Sequence, residues 1–424
     1  MNRTKEELRK IKKILNSAWN SPYSSFYKDK YKKAGIKSVK NIKTWKDFDN
    51  LPFLTREEIV EAGPEKFLFF PKNKIATTGL SSGTTGGKYP LIIYCPRFSK
   101  TYKKMHKKYM EIGIKSLMIL YNPFTALHRY RYDVDFLGER TKFLVGDLNN
   151  LELTAKVAAR TQIDSIKTTP TALYRFIPHL EKEYDLNNIK LVCLGGEYTS
   201  EQKADYFKSV FKKAFFEYTF GGVETKGKGY RCDKLSKLAP RFFHGDPEAF
   251  YYETVDSNGQ EELVITSLYQ DGNILIRYKT GDAVRFFDKE CPCGETIHME
   301  VFGRLGHDAI KAQGASIYSV LVDKALFPFG KYLASSEWKL HVFEEKVKGK
   351  ITVRLKIQLI PNNAGKNGKV KRLITRGIAE NLFVSSKLTL AELIQKEMFL
   401  PLEVEFLESF PSELKPRHII SYLK

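Results

Sequence analysis

No apolar run in the 424 residues approaches the ~20 needed to cross a bilayer, so no membrane span is expected. The first residues, Met1 to Lys13, are rich in Lys and Arg but hold no apolar stretch. That argues against a signal peptide. Cysteine is scarce: there are five, an odd number, two of them in Cys291-Pro292-Cys293. Such a count suits a reducing cytoplasm and metal binding better than a disulfide framework. The net charge is +21, yet no concentrated basic block with interleaved aromatics accompanies it. The lysines are spread along the chain, so nucleic acid is not the expected partner. A surface of this kind draws anionic partners in general.

The folded content is ample. Apolar residues make up 42%, with 29 Phe and 23 Tyr. A chain of this length exceeds one hydrophobic core, so at least two domains are expected. The most unusual stretch is Leu80-Ser81-Ser82-Gly83-Thr84-Thr85-Gly86-Gly87-Lys88. Its glycines let the backbone fold tightly and turn several N–H groups one way. Such a nest holds an anion, and the hydroxyls and Lys88 add donors and charge. It is not the P-loop of the NTPases, because Tyr89 stands where that motif needs a hydroxyl for Mg²⁺. Composition alone is equally compatible with a flexible polar linker. The flanks, residues 74–78 and 90–94, read as strands and favour a held loop.

Ser81 to Lys88 resembles the phosphate-binding loop of the adenylate-forming (ANL) superfamily, which includes acyl-CoA synthetases and peptide-synthetase adenylation domains. The phenylacetate–CoA ligase-like branch is the most similar. Later segments follow the order of that family's motifs. Gly195-Gly196-Glu197 closes a strand pattern and resembles the segment lying against adenine. Phe220-Gly221-Gly222-Val223-Glu224 is similar to a Tyr-Gly-x-Thr/Ser-Glu motif whose glutamate holds Mg²⁺. Here Phe220 replaces tyrosine and Val223 replaces the hydroxyl residue that touches phosphate. Tyr278-Lys279-Thr280-Gly281-Asp282 resembles a motif whose aspartate accepts both ribose hydroxyls, which suits an acceptor-only carboxylate. Gly303-Arg304-Leu305-Gly306-His307-Asp308 resembles the segment at the domain boundary, with one extra residue before Asp308. Arg304 is the candidate ribose or phosphate contact, and Asp308 the candidate hinge. Near the end, Lys415 is the candidate mobile catalytic lysine, although Leu414 stands where the family has glycine.

The pattern along the chain is α/β. Helices are expected over residues 1–60, with Thr55 and Glu58 forming a capping box. Strands and helices alternate over 90–216, which argues for a parallel sheet with helices on its faces. Strands are expected at 262–268 and at 274–278. The resemblance implies a large N-terminal domain, residues 1–305, binding ATP and acid, and a small mobile α/β domain, residues 306–424, joined by a hinge.

The resemblance also implies the chemistry. A small carboxylic acid attacks MgATP to give acyl-AMP and pyrophosphate. A thiol, of CoA or of a carrier phosphopantetheine, then displaces AMP. Transfer of AMP to a hydroxyl, or amide formation, is the alternative, kept open by Val223 and the loose C-terminal motif. Tyr218, Phe220 and the aromatic residues near Phe124 and Tyr130 would favour an aromatic or apolar acid. An acidic carrier protein and a homodimer are also left open. Finally, Cys232, His244, Cys291 and Cys293 combine soft and borderline ligands suited to a closed tetrahedral Zn²⁺ site, with His298 as the rival histidine. Cys95 and Cys193 read as core.

Overall fold

The computed structural model describes the chain apart from residues 1–2, 72, 74–76, 81–90, 95–99, 122–125, 127–129, 131–132, 135–136, 139–140, 223, 233, 270–272, 288–290, 348–349, 385–387, 412–416 and 424. An 11-stranded sheet forms its centre. Five strands of it are parallel, in the spatial order Lys142–Val145, Ser116–Leu120, Ser165–Thr168, Leu191–Gly195 and Phe215–Gly222. Helices Leu151–Thr161, Pro170–Glu183 and Glu201–Val210 supply the crossovers. This is the alternation expected from the sequence, because parallel neighbours require a long return connection. Strand Phe215–Gly222 then pairs antiparallel with Lys226–Tyr230, and the rest of the sheet is antiparallel. Strands Thr77–Leu80 and Leu91–Tyr94 form a separate antiparallel pair. The candidate phosphate loop, Ser81 to Lys88, lies outside the described residues, as do Cys95, Phe124 and Lys415.

The N-terminal helices pack on the antiparallel half. Helix Lys5–Trp19 turns Leu8, Ile11, Ile14, Leu15 and Ala18 inward. Helix Arg56–Lys66 begins at the expected capping box of Thr55 and Glu58. Two hydrogen bonds, from the Leu54 amide to the Arg277 carbonyl (2.9 Å) and from the Lys279 amide to the Leu54 carbonyl (2.9 Å), sew this segment to the sheet. The Tyr27 hydroxyl donates to the Ile274 carbonyl at 2.7 Å and accepts from the Ile276 amide at 2.9 Å.

One expected strand is corrected here. Residues 274–277 are not a strand, which begins instead at Tyr278. Arg277 adopts φ +49°, a conformation that breaks the pleat. Its guanidinium is spent on the N-terminal layer, donating to the Leu51 carbonyl at 2.8 Å and stacking 4.2 Å from the Phe53 ring centre.

Among the described residues, the two largest apolar clusters are separate. The larger runs from Leu8 to Val301, the smaller from Ile310 to Ile419. The second fills a four-stranded sheet built from Leu333–Val347, Lys350–Pro361, Glu403–Phe406 and Ile419–Ser421, with helices Ser319–Leu326 and Gly368–Asn381. Among the described residues, no helix is long and apolar enough to cross a membrane.

Cys193 is buried in the sheet, as expected. Lys167, Cys193 and Glu217 are register partners on three adjacent parallel strands, so they share a face. Glu217 accepts from the Tyr109 hydroxyl. Burial pushes its carboxyl from the ordinary 4.5 up to about 7, against the smaller pull of the Tyr109 hydrogen bond and Lys167. The native state therefore holds a proton that the unfolded chain releases. That contribution to stability is complete below 4.5 and is lost as pH rises to about 7. Glu217→Gln should flatten the fall in melting temperature across this window and raise the melting point at pH above it. Parallel pH profiles for the two proteins would discount the assignment.

Candidate nucleotide site and metal centre

Residues from three of the motifs come together where the two halves of the sheet meet. Asp282 and Arg304 are register partners on strands Tyr278–Phe287 and His298–Arg304. Arg304 Nε lies 3.3 Å from Asp282 Oδ1. Glu224, in the turn after strand Phe215–Gly222, is buried and accepts from the Tyr278 hydroxyl at 3.1 Å. A Cβ on Gly222 would stand 3.0 Å from the Glu224 carboxylate, a close approach that a larger residue would press on. Phe220 precedes this turn, its ring 5.5 Å from that of Phe243, and Gly221 pairs with Gly227.

Two cations of this cluster, Lys228 and Arg56, escape a motif reading, whereas Tyr278 opens the motif that ends at Asp282. Lys228 is wholly buried and forms an ion pair with Asp282 Oδ2, its ammonium 4.5 Å from the Phe220 ring centre. Arg56, at the start of its helix, stands 3.9 Å from Glu224. Tyr278 holds Glu224 from the sheet side. In a chain with 70 Lys and Arg, one lysine in Lys226-Gly-Lys-Gly-Tyr carries no local signal. Only the strand pairing aims it inward.

The electrostatics follow from burial against charge. Burial alone would raise the Asp282 carboxyl, but Arg304 and Lys228 outweigh it and hold it below its ordinary range. The same contest keeps Glu224 low, with burial opposed by Arg304, Lys228 and Arg56. Both carboxylates are therefore ionised acceptors in a dry setting.

The turn after Arg304 is held by Asp308, whose carboxylate accepts from the Arg304 amide at 3.0 Å. Gly303 has φ +106°, and a Cβ there would strike Asp308 at 2.4 Å. Across the turn, the Asp308 carbonyl accepts from the Ser319 amide at 2.8 Å. Gly196 and Glu197 sit at the end of strand Leu191–Gly195, where Glu197 Oε2 accepts from the Thr171 amide at 3.2 Å. That carboxylate thereby serves the N-terminus of helix Pro170–Glu183.

No protein-family model matches the chain. Over 321 residues, 71% of it, the chain is 22% identical to a phenylacetate-coenzyme A ligase of Thermus thermophilus, spanning 70% of that protein. Its structure aligns with 2-hydroxyisobutyryl-CoA ligase in the postadenylation state in complex with R3-HIB-AMP, at TM-score 0.71 and 16% identity, over 98% of this chain and 89% of that one. It also aligns with an acyl acid amido synthetase, at TM-score 0.60 and 12% identity, over 99% and 86% of the two chains. The chain has the fold of the adenylate-forming ligases. The resemblance read from the motifs is borne out, and the Asp282 cluster sits within that fold.

The second cluster lies in the antiparallel half of the sheet. Cys232 follows strand Lys226–Tyr230, His244 belongs to strand Phe242–Gly245, and Cys291 and Cys293 lie in the turn before strand His298–Arg304. Their ligand atoms all fall within 4.8 Å of one another. The Cys232 and Cys291 sulfurs are 3.8 Å apart, and His244 Nε2 is 3.3 Å from Cys232 and 3.4 Å from Cys293. A tetrahedral ion with bonds of ~2.3 Å to sulfur has S–S edges of about 3.8 Å, so the set suits such an ion. His244 Nδ1 lies 3.1 Å from the Ile297 carbonyl, to which it donates, leaving Nε2 to face the thiols. His298 is opposite His244 in register but lies outside this group of ligand atoms. Gly294 at φ +85° closes the Cys-Pro-Cys turn, its amide donating to the Cys291 carbonyl at 2.8 Å.

Proposed function

We propose that this chain activates a carboxylic acid as acyl-AMP with release of pyrophosphate, and then passes the acyl group to a thiol of CoA or of a carrier phosphopantetheine. The observation that carries the reading is the buried cluster of Glu224, Asp282 and Arg304 within an adenylate-forming fold. Ionised Asp282 offers a paired acceptor for the two ribose hydroxyls. Arg304 beside it meets ribose or phosphate. Glu224 is a single buried carboxylate, which fits Mg²⁺, an ion that keeps several waters and takes one or two protein oxygens alongside substrate phosphates. The metal would shield the phosphate charge that the acid's carboxylate must approach.

The phosphate-binding role of Ser81, Ser82, Gly83, Thr84, Thr85, Gly86 and Lys88 rests on the resemblance of that loop. So does the assignment of Lys415 as the mobile lysine. Phe220, Gly221, Gly196 and Glu197 are assigned to the adenine side on the same ground. Residues 1–305 form the ATP- and acid-binding domain and residues 306–424 the small domain, with the hinge near Asp308. Closure about such a hinge would exclude water and then open a thiol channel. The Cys232, His244, Cys291 and Cys293 set would hold Zn²⁺ with four protein ligands and no open position, a structural rather than catalytic role. A cytoplasmic setting agrees with free thiols.

The likeness to an acyl acid amido synthetase favours, as a second reading, transfer of the same acyl-adenylate to an amine. Pyrophosphate exchange with a panel of carboxylic acids tests the first step. Label should enter ATP only when an acid is present. Free AMP appearing with CoA supports the thiol, and AMP release only with an amine supports the second reading. Absence of exchange with every acid, despite a native melt, would refute adenylation.

A further inference from the structure

Lys228 is the least expected charge in the molecule. Burying an ammonium is costly unless it is paired and held in good geometry. Its side chain is 1% exposed. The backbone beneath it is fixed, because the Tyr252 hydroxyl donates to the Lys228 carbonyl at 2.7 Å and accepts from the Asp246 amide at 2.7 Å. From this anchor the ammonium crosses the Phe220 ring and ends on Asp282 Oδ2, while Arg304 takes Oδ1. The Asp282 amide donates to Thr280 Oγ1 at 3.2 Å, which settles the backbone of the acceptor as well.

We propose that Lys228 is a positioning residue of the ribose acceptor, acting through Asp282. The proposal rests on reading Asp282 as the group that takes the ribose diol. An ionised carboxylate has about four lone-pair sites. Lys228 and Arg304 occupy one on each oxygen, and their opposing pulls fix the plane of the carboxylate. One site on each oxygen is left, a pair matched to two adjacent hydroxyl donors. With Lys228 gone, Arg304 would draw the carboxylate to one side and the paired acceptor would be lost.

The test is nucleotide binding by calorimetry on the full chain, with ATP, 2′-deoxyATP and 3′-deoxyATP, for wild type, Lys228→Met and Lys228→Gln. Wild type should prefer ATP over either deoxy analogue by on the order of 10- to 100-fold, the scale of a hydrogen bond to a charged group. In Lys228→Met, ATP binding should fall to the level of the analogues while analogue binding changes little. Lys228→Gln, which can still donate, should recover part of the preference. A Lys228→Met protein that binds ATP and discriminates like wild type overturns the inference and leaves the nucleotide reading standing. Wild type that shows no preference for the diol overturns the role of Asp282 and this inference with it. Loss of a native melt in both variants would assign Lys228 to stability alone and also overturn it.

Discussion

Replacing Asp282 by alanine is expected to remove measurable nucleotide binding and to destabilise the fold by about 3–5 kcal/mol, the usual consequence of leaving a buried charge without its partner. Lys228 is wholly buried and has no route to water. Arg304 keeps its bond to the Thr280 carbonyl at 2.5 Å but loses its counter-charge. Asp282→Asn should cost less, since it keeps the shape and one acceptor oxygen. Lys228→Met combined with Asp282→Ala should recover part of the lost stability, because the buried ammonium is then no longer stranded. Urea unfolding and ATP calorimetry on the same samples read both effects. An alanine variant with the wild-type unfolding midpoint and ATP affinity would remove Asp282 from both roles.

Stripping the metal centre should have the second large effect. The purified chain is expected to carry about one zinc per molecule, as a closed four-ligand site does. Cys232, His244, Cys291 and Cys293 come from three separate segments. An ion among them would cross-link strand Phe242–Gly245 to the ends of its neighbours. Removal by chelator, or Cys232→Ser, should lower the melting temperature by many degrees and speed amide exchange in strands Lys226–Tyr230 and His298–Arg304, because metal-binding energy at such sites is folding energy. Nucleotide affinity should fall with it: Lys228 and Arg304 stand on those same two strands. A metal-free preparation with an unchanged melt in chelator would dismiss the centre.

Much of the fold was open to a reader of the chain. Helix Lys5–Trp19 follows from apolar residues at helical spacing and a polar cap at Thr4. The capping box at Thr55 is written in four residues and appears as written. Strands Leu333–Val347 and Lys350–Pro361 alternate in burial as their side chains alternate in polarity. These are local rules, so short stretches suffice to state them. The strand expected at 274–278 shows where they stop. Its apolar run is buried as a strand would be, but Arg277 is called away by Asp49, Leu51 and Phe53, more than 220 positions earlier in the chain.

The candidate site divides along the same line. Glu224, Asp282, Arg304, Cys291 and Cys293 are visible because their neighbours in sequence form motifs. That information is carried by residue type and spacing alone. Lys228 and Arg56 are visible only once the segments are packed, since nothing adjacent to them marks their direction. The preference for His244 over His298 is of that kind too. Both are histidines in strands, directly opposite in register, and a carbonyl at Ile297 orients one ring toward the thiols. Composition and order thus sufficed for the class of fold and the acidic and thiol groups of its sites. Which cations stand beside the carboxylates and which histidine faces the thiols depends on distant segments meeting, because an ion pair or a ligand set depends on separation in space, and separation along the chain does not constrain it.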